Sequence, residues 1–149
     1  KKLKSIVNNH NIEDIVKFVG PQYNNDKYLS IDSADCFILP SKGENFGIVV
    51  IEALARGIPV ISTKNTPWSE LIDYSCGWWI DRTKEDFKSV LLKLINTDSK
   101  SLLKMGKNGI SLVEKKYLWS KITQQSIQVY KWVLNDFNPK FKKGFSLFE

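Results

Sequence analysis

The stretch Phe46 to Thr63, FGIVVIEALARGIPVIST, sets a helix and a strand back to back with a stop signal between them. Ile48 to Ile51 is β-branched and alone would suit a buried strand. The next residues decide otherwise. Glu52 to Arg56 are strong helix formers, Gly57 suits a left-handed C′ position, and Pro59 blocks continuation. The stretch predicts a short, nearly all-round buried helix over 47–56 and a strand over 58–63.

The same alternation extends to either side. IVKFV at 15–19 and DCFIL at 35–39 read as short strands closed by Gly20-Pro21 and Pro40-Ser41, and NNDKYLSIDSA between them has room for a helix. Further on, Thr83-Lys84-Glu85-Asp86 fits a capping box. Phe87, Val90, Leu91, Leu94 and Ile95 then share one helical face. Two more amphipathic helices are predicted over 100–116 and 119–135, the second with Ile122, Val129, Tyr130 and Val133 on one stripe. The tail NPKFKKGFSLFE shows no clear period. Strands alternating with helices give an α/β class: a Rossmann-like parallel sheet flanked by helices. KKLKSIV opens the chain as a helix fragment with no strand before it, which suggests a piece of a larger polypeptide.

Composition narrows the function classes. The 149 residues, 42% hydrophobic and 26% charged, suit one folded domain. No apolar run approaches the roughly 18 to 20 residues of a membrane span, and a cytoplasmic location is expected. Cys36 and Cys76 lack metal-ligand spacing and read as buried reduced thiols. The single histidine, His10, sits in a polar connector and reads as a surface residue, which leaves no Ser-His-Asp arrangement. The net charge of +6 admits an anionic partner without choosing among nucleotide, nucleic acid and lipid surface.

The predicted helix 47–56 also carries the candidate site. In open parallel sheets ligands bind beyond the carboxyl ends of the strands, where a loop feeds the next helix. Loop 40–46 holds that place, and the N–H groups of Phe46, Gly47 and Ile48 would face a phosphate at the positive end of the helix. Glu44 stands before the helix, and Glu52 lies four residues after Ile48 on the same face, leaning back toward the mouth. Glu52 is flanked only by apolar residues and alanine, so its carboxylate needs a partner, and a ribose diol supplies paired donors. Glu44 would accept from hydroxyls of the group carried by the phosphates.

PSKGENFGIVVIEALARGIPVIST resembles the E-x7-E signature of retaining glycosyltransferases of family 4, two-lobed enzymes of GT-B fold; the resemblance runs from about Val16 through Trp119. TPWSEL and CGWWID are similar to segments of bacterial members that build surface polysaccharides and lipopolysaccharide. The resemblance implies that Glu44 contacts donor-sugar hydroxyls near the reacting carbon, that the backbone at Asn45, Phe46, Gly47 and Ile48 holds sugar and diphosphate, and that Glu52 binds the ribose. It implies a nucleotide diphosphate-sugar donor and a saccharide or lipid-linked acceptor held by a preceding N-terminal lobe; peripheral association of the parent with the inner face of the membrane is a separate expectation. No metal or other cofactor is implied, and the chain has no Asp-x-Asp motif. Residues 1–149 would be a donor-binding lobe without its first strand-loop-helix or the acceptor lobe, with 119–149 as C-terminal helix and tail.

Thr66-Pro67 stand where many members have Gly-Gly, with Trp68 and Glu70 following. Trp68 could stack on a ligand or plug its loop onto the core; Trp78 and Trp79, in a short apolar run, read as structural, with only one face of the pair able to be core. A GT-B sugar-nucleotide epimerase is an alternative that the scarcity of acid/base residues weakens. A basic nucleic-acid-binding domain is another, without a recognisable motif to support it.

Overall fold

The structure, a computed structural model, describes residues 2–135; the tail segment 138–149 lies outside the described residues. The chain divides into two units, with the break between Ser30 and Ile31. In the first, α1 (Lys2–Asn9) ends at His10, an exposed histidine whose Nδ1 lies 2.8 Å from the Ile6 carbonyl oxygen. The strand expected at 15–19 does not form. The N–H groups of Ile15 and Val16 both donate to the Ile12 carbonyl at 3.1 and 2.9 Å, closing a turn, and Ile15 is 81% exposed. A strand is stable only through its neighbours, and no described strand pairs with this segment. The predicted helix comes next as α2 (Asn24–Asp32), which runs across the break.

The second unit carries a parallel sheet of order β1-β2-β3, made of β1 (Phe37–Leu39), β2 (Val60–Thr63) and β3 (Gly77–Ile80). Phe37 pairs with Val60 and Val60 with Gly77, and the α/β reading holds. All four residues of central β2 are buried, as a continuous β-branched run ending in Ser62-Thr63 would require. Gly77 is obligatory here, since a Cβ would lie 2.0 Å from the Val60 carbonyl oxygen.

Helix α3 (Ile48–Ala55) joins β1 to β2 and ends as the sequence predicts. Gly57 takes φ 74°, its N–H donates to the Leu54 carbonyl, and the N–H of Ile58 donates to that of Ala53, both at 3.0 Å. These two bonds make a Schellman closure. The helix is not buried all round: Val50, Ala53 and Leu54 face the core, whereas Ile48 is 59% exposed. Its β-branched run thus reflects two apolar surfaces, one packed and one lining an open groove beside Tyr117.

After β3 come α5 (Lys84–Ile95), α6 (Ser99–Lys116) and α7 (Trp119–Leu134); the short α4 (Glu70–Asp73) lies between β2 and β3. Thr83 caps α5 by accepting the Asp86 N–H at 3.0 Å, and Asp98 caps α6 by accepting that of Ser101 at 2.9 Å. Phe87, Val90 and Leu94 turn inward from α5, but Ile95 is 77% exposed, because the inward stripe is narrower than its apolar face. On α7 no residue is fully buried; Ile122 and Val129 are half-buried, while Tyr130 and Val133 of the expected stripe are exposed. Ser126 and Trp132 occupy the inward positions with them.

Helices α3 and α6 meet at glycines. A Cβ on Gly106 would lie 2.1 Å from the Gly57 carbonyl oxygen, and one on Gly109 would lie 2.8 Å from Leu54 Cδ2. The core of Val50, Leu54, Val60, Trp68, Leu71 and Leu112 depends on this approach. Gly106→Ala is expected to destabilise by about 2 kcal/mol or more despite alanine's better helix propensity. Gly43→Ala, with nothing within 4 Å of its Cβ, is expected to change stability by less than about 0.5 kcal/mol. Urea unfolding of the two variants checks the contrast.

Candidate functional site

Because the sheet is parallel, Leu39, Thr63 and Ile80 all end on one edge, and loops 40–47 and 64–69 lie there together. The buried end of β2 ties these loops down. Thr63 Oγ1 donates to the Ser41 carbonyl at 2.7 Å. Thr66 Oγ1 donates to the Thr63 carbonyl at 2.7 Å, so the 2.8 Å contact between Ser62 Oγ and Thr66 Oγ1 has Ser62 as donor. Trp68 is fully buried, and its Nε1–H donates to the Phe46 carbonyl at 2.7 Å. It plugs the loop onto the core and is not available for stacking on a ligand.

The loop leaves β1, crosses Ser41 to Phe46, and enters α3 through Gly47 at φ 76° and ψ 57°. Only glycine adopts this left-handed conformation without cost, and a Cβ here would stand 3.3 Å from both Leu39 Cδ2 and Trp68 Nε1. Among the described residues, the N–H groups of Gly47 and Ile48 donate to no protein acceptor, while the Gly47 carbonyl accepts from Val50 at 2.9 Å. Free donors at the start of a helix are an anion-binding arrangement.

The predicted site residues fall into one loop–helix junction. Glu44 is exposed and accepts from Ser41 Oγ at 2.5 Å. Asn45 is exposed beside it. Phe46 packs on the Trp68 and Tyr117 rings, at centroid distances of 5.4 and 5.9 Å, and its carbonyl points inward to the indole. Ile48 opens the helix, and Glu52, half-buried, follows one turn later on α3. Among the described residues no group of three His, Cys, Asp or Glu is placed to ligate a metal ion.

Several supporting residues had no signal in the sequence. Tyr117 packs on Trp68 with ring centroids 5.6 Å apart and planes tilted by 56°, and it donates its hydroxyl to Glu70, which also accepts from Lys116. These partners lie 46 and 47 residues apart in the chain, beyond any local spacing rule. Thr63 and Thr66 could have been suspected, since hydroxyls closing a buried β-branched run need acceptors. Beside the junction, Phe46, Ile48, Ile51, Tyr117, Trp119 and Ile122 line an apolar groove of about 390 Å³. Cys36 and Cys76 are free thiols, raised by burial to about 12 and about 11, so neither is a thiolate at neutral pH.

Burial, and secondly the bond to Glu70, pushes the Tyr117 phenol above its ordinary value of 10.0. Its neutral form is thus favoured in the folded state. The resulting stability is fully present below pH 10 and is lost as pH rises further, when the unfolded chain ionises first. The stability difference between the unsubstituted chain and Tyr117→Phe should be constant from pH 7 to 9. It should then shrink by about 1 kcal/mol per pH unit above 10. Denaturant unfolding of both across this range measures it.

Residues 1–112 match the family model described as glycosyl transferases group 1. The chain is 36% identical over 103 residues to amylovoran biosynthesis glycosyltransferase AmsK of Erwinia amylovora, covering 62% of this chain and 25% of that protein. It is 32% identical over 136 residues to N-acetyl-alpha-D-glucosaminyl L-malate synthase of Bacillus anthracis, covering 88% and 34%. Among solved structures it is similar to sucrose-phosphate synthase from Thermosynechococcus elongatus, with TM-score 0.79 and 26% identity over 91% of this chain and 34% of that one. It is also similar to the C-terminal domain of the group 1 protein LpcC from Francisella tularensis, with TM-score 0.66 and 28% identity over 79% and 62%. The chain therefore spans a quarter to a third of these curated relatives.

Proposed function

This chain belongs to the glycosyl transferases group 1 family, and from that membership we propose that it is the donor-binding lobe of a retaining, family 4 glycosyltransferase of GT-B type. The observation that carries the reading is the junction at Gly47, where a left-handed glycine leaves the N–H groups of Gly47 and Ile48 without a protein acceptor among the described residues, at the start of α3 beyond the carboxyl ends of a parallel sheet. The free N–H groups and the helix dipole would hold the diphosphate of a nucleotide-sugar. Glu52 would accept the paired ribose hydroxyls, and Glu44, held by Ser41, would bring negative charge to the sugar beside the reacting carbon.

In the proposed reaction the bond from the anomeric carbon to the donor phosphate breaks, and one to an acceptor hydroxyl oxygen forms. The acceptor proton passes to the departing phosphate. Positive charge on the sugar ring in between is what Glu44 would stabilise. The acceptor, a saccharide or lipid-linked saccharide of a surface polysaccharide, would be held by an N-terminal lobe. The name of the relative in amylovoran biosynthesis supports that class of product. The parent enzyme would work in the cytoplasm at the inner membrane face. We further propose that no metal is required, the helix terminus meeting the phosphate charge.

Titration with UDP, GDP and ADP by ligand-observed NMR tests the donor site. One of the three should bind selectively, and excess EDTA should leave the affinity unchanged. Glu52→Gln should weaken binding by about tenfold, the loss expected for hydrogen bonds to a charged group. Binding indifferent to that substitution would remove Glu52 from the site. The isolated chain should show negligible transferase turnover, and turnover matching that of an intact two-lobed enzyme would contradict the assignment as a donor lobe.

A further inference from the structure

We infer that Trp68 is a positioning residue that holds the Phe46–Gly47 peptide in its ligand-binding orientation; the inference rests on the donor-site reading. The peptide group is planar and trans, as are all the described peptide bonds, so the Phe46 carbonyl and the Gly47 N–H point in opposite directions. The Trp68 indole N–H draws the carbonyl inward at 2.7 Å. The Gly47 N–H is thereby turned away from the buried indole, and it has no acceptor among the described residues.

Glycine cannot make this choice by itself. Rotating the peptide plane by half a turn would take Gly47 from φ 76° to about −104°, and glycine occupies both regions readily. In the rotated state a carbonyl oxygen, not an N–H, would face the start of α3 and repel a phosphate. The residue that permits the functional conformation thus also permits its opposite. The selection comes from outside the loop.

Trp68 is suited to select. It is fully buried, so its N–H bears the full desolvation cost if unpaired, and the Phe46 carbonyl is the acceptor it has. Its ring is fixed between Phe46 and Tyr117, at 5.4 and 5.6 Å, which leaves the donor little freedom to follow a rotated peptide. Tyr117 is in turn held through its hydroxyl by Glu70.

Trp68→Phe keeps an aromatic ring and removes the donor. Phe46–Gly47 is the only Phe-Gly pair in the sequence, so labelling phenylalanine with carbonyl ¹³C and glycine with ¹⁵N gives one HNCO cross-peak that reports this peptide alone. In the free variant that peak is expected to be displaced or split. Affinity for whichever of UDP, GDP and ADP the unsubstituted chain binds is expected to fall about tenfold, with a cooperative thermal melt retained. Trp68→Leu repeats the test should Trp68→Phe fail to fold. If Glu52→Gln weakens binding while Trp68→Phe leaves both affinity and cross-peak unchanged, the inference is overturned and the donor site stands. If the unsubstituted chain binds none of the three nucleotides, the donor-site reading fails. The orientation claim is then decided on the free protein, where an unmoved cross-peak overturns it.

Discussion

Ser62, Thr63, Thr66 and the indole of Trp68 are buried where β2 gives way to its loop, and each must find a partner without water. Ser62 and Thr66 satisfy one another and the Thr63 carbonyl; Thr63 and Trp68 reach across to carbonyls of the loop after β1. Satisfying those buried donors fixes the course of loop 40–47, at Ser41 and again at Phe46. The loop that bears Glu44 is thus shaped less by its own exposed, polar residues than by the interior beneath it.

Helix α3, which the loop enters, is held at both ends by glycine, for different reasons. Gly57 ends it with positive φ and a Schellman closure, and its carbonyl lies so close to Gly106 that α6 accepts no side chain there. Gly47 begins it with positive φ and leaves its N–H unpaired among the described residues. The first glycine is used for packing and the second for exposure. Between them α3 presents one apolar surface to the core and another, through Ile48 and Ile51, to the groove shared with Tyr117 and Trp119.

How much of this the sequence discloses varies with the range of the interaction. Helix α3, its glycine stop, the Thr83 cap and strands β1 and β2 follow from local rules of spacing and capping. The five residues Glu44 to Ile48 and their gathering on one junction follow from a motif with fixed spacing. The strand assigned to 15–19 fails for want of a pairing partner, which no window of sequence contains. Ile95 and Tyr130 fail because an apolar residue on a helix need not meet a neighbour, and only the packing partner decides. The choice between stacking and plugging for Trp68 depended on the Phe46 carbonyl, 22 residues away.

The Thr66-Pro67 pair bears on how much of the proposed site the second loop can supply. Two glycines there, as the family resemblance implies for many members, would leave the backbone free to approach a ligand and offer N–H groups. Here the Thr66 N–H is bonded to the Thr63 carbonyl at 2.9 Å, and Pro67 has none. The hydroxyl of Thr66 and the indole of Trp68 are likewise turned inward. Loop 64–69 thus offers no donors at Thr66 or Pro67 and acts as the scaffold for its neighbour. In the proposed complex the phosphate charge would then fall on the start of α3, so the orientation of one peptide, Phe46–Gly47, matters more here than in a site with donors on both loops.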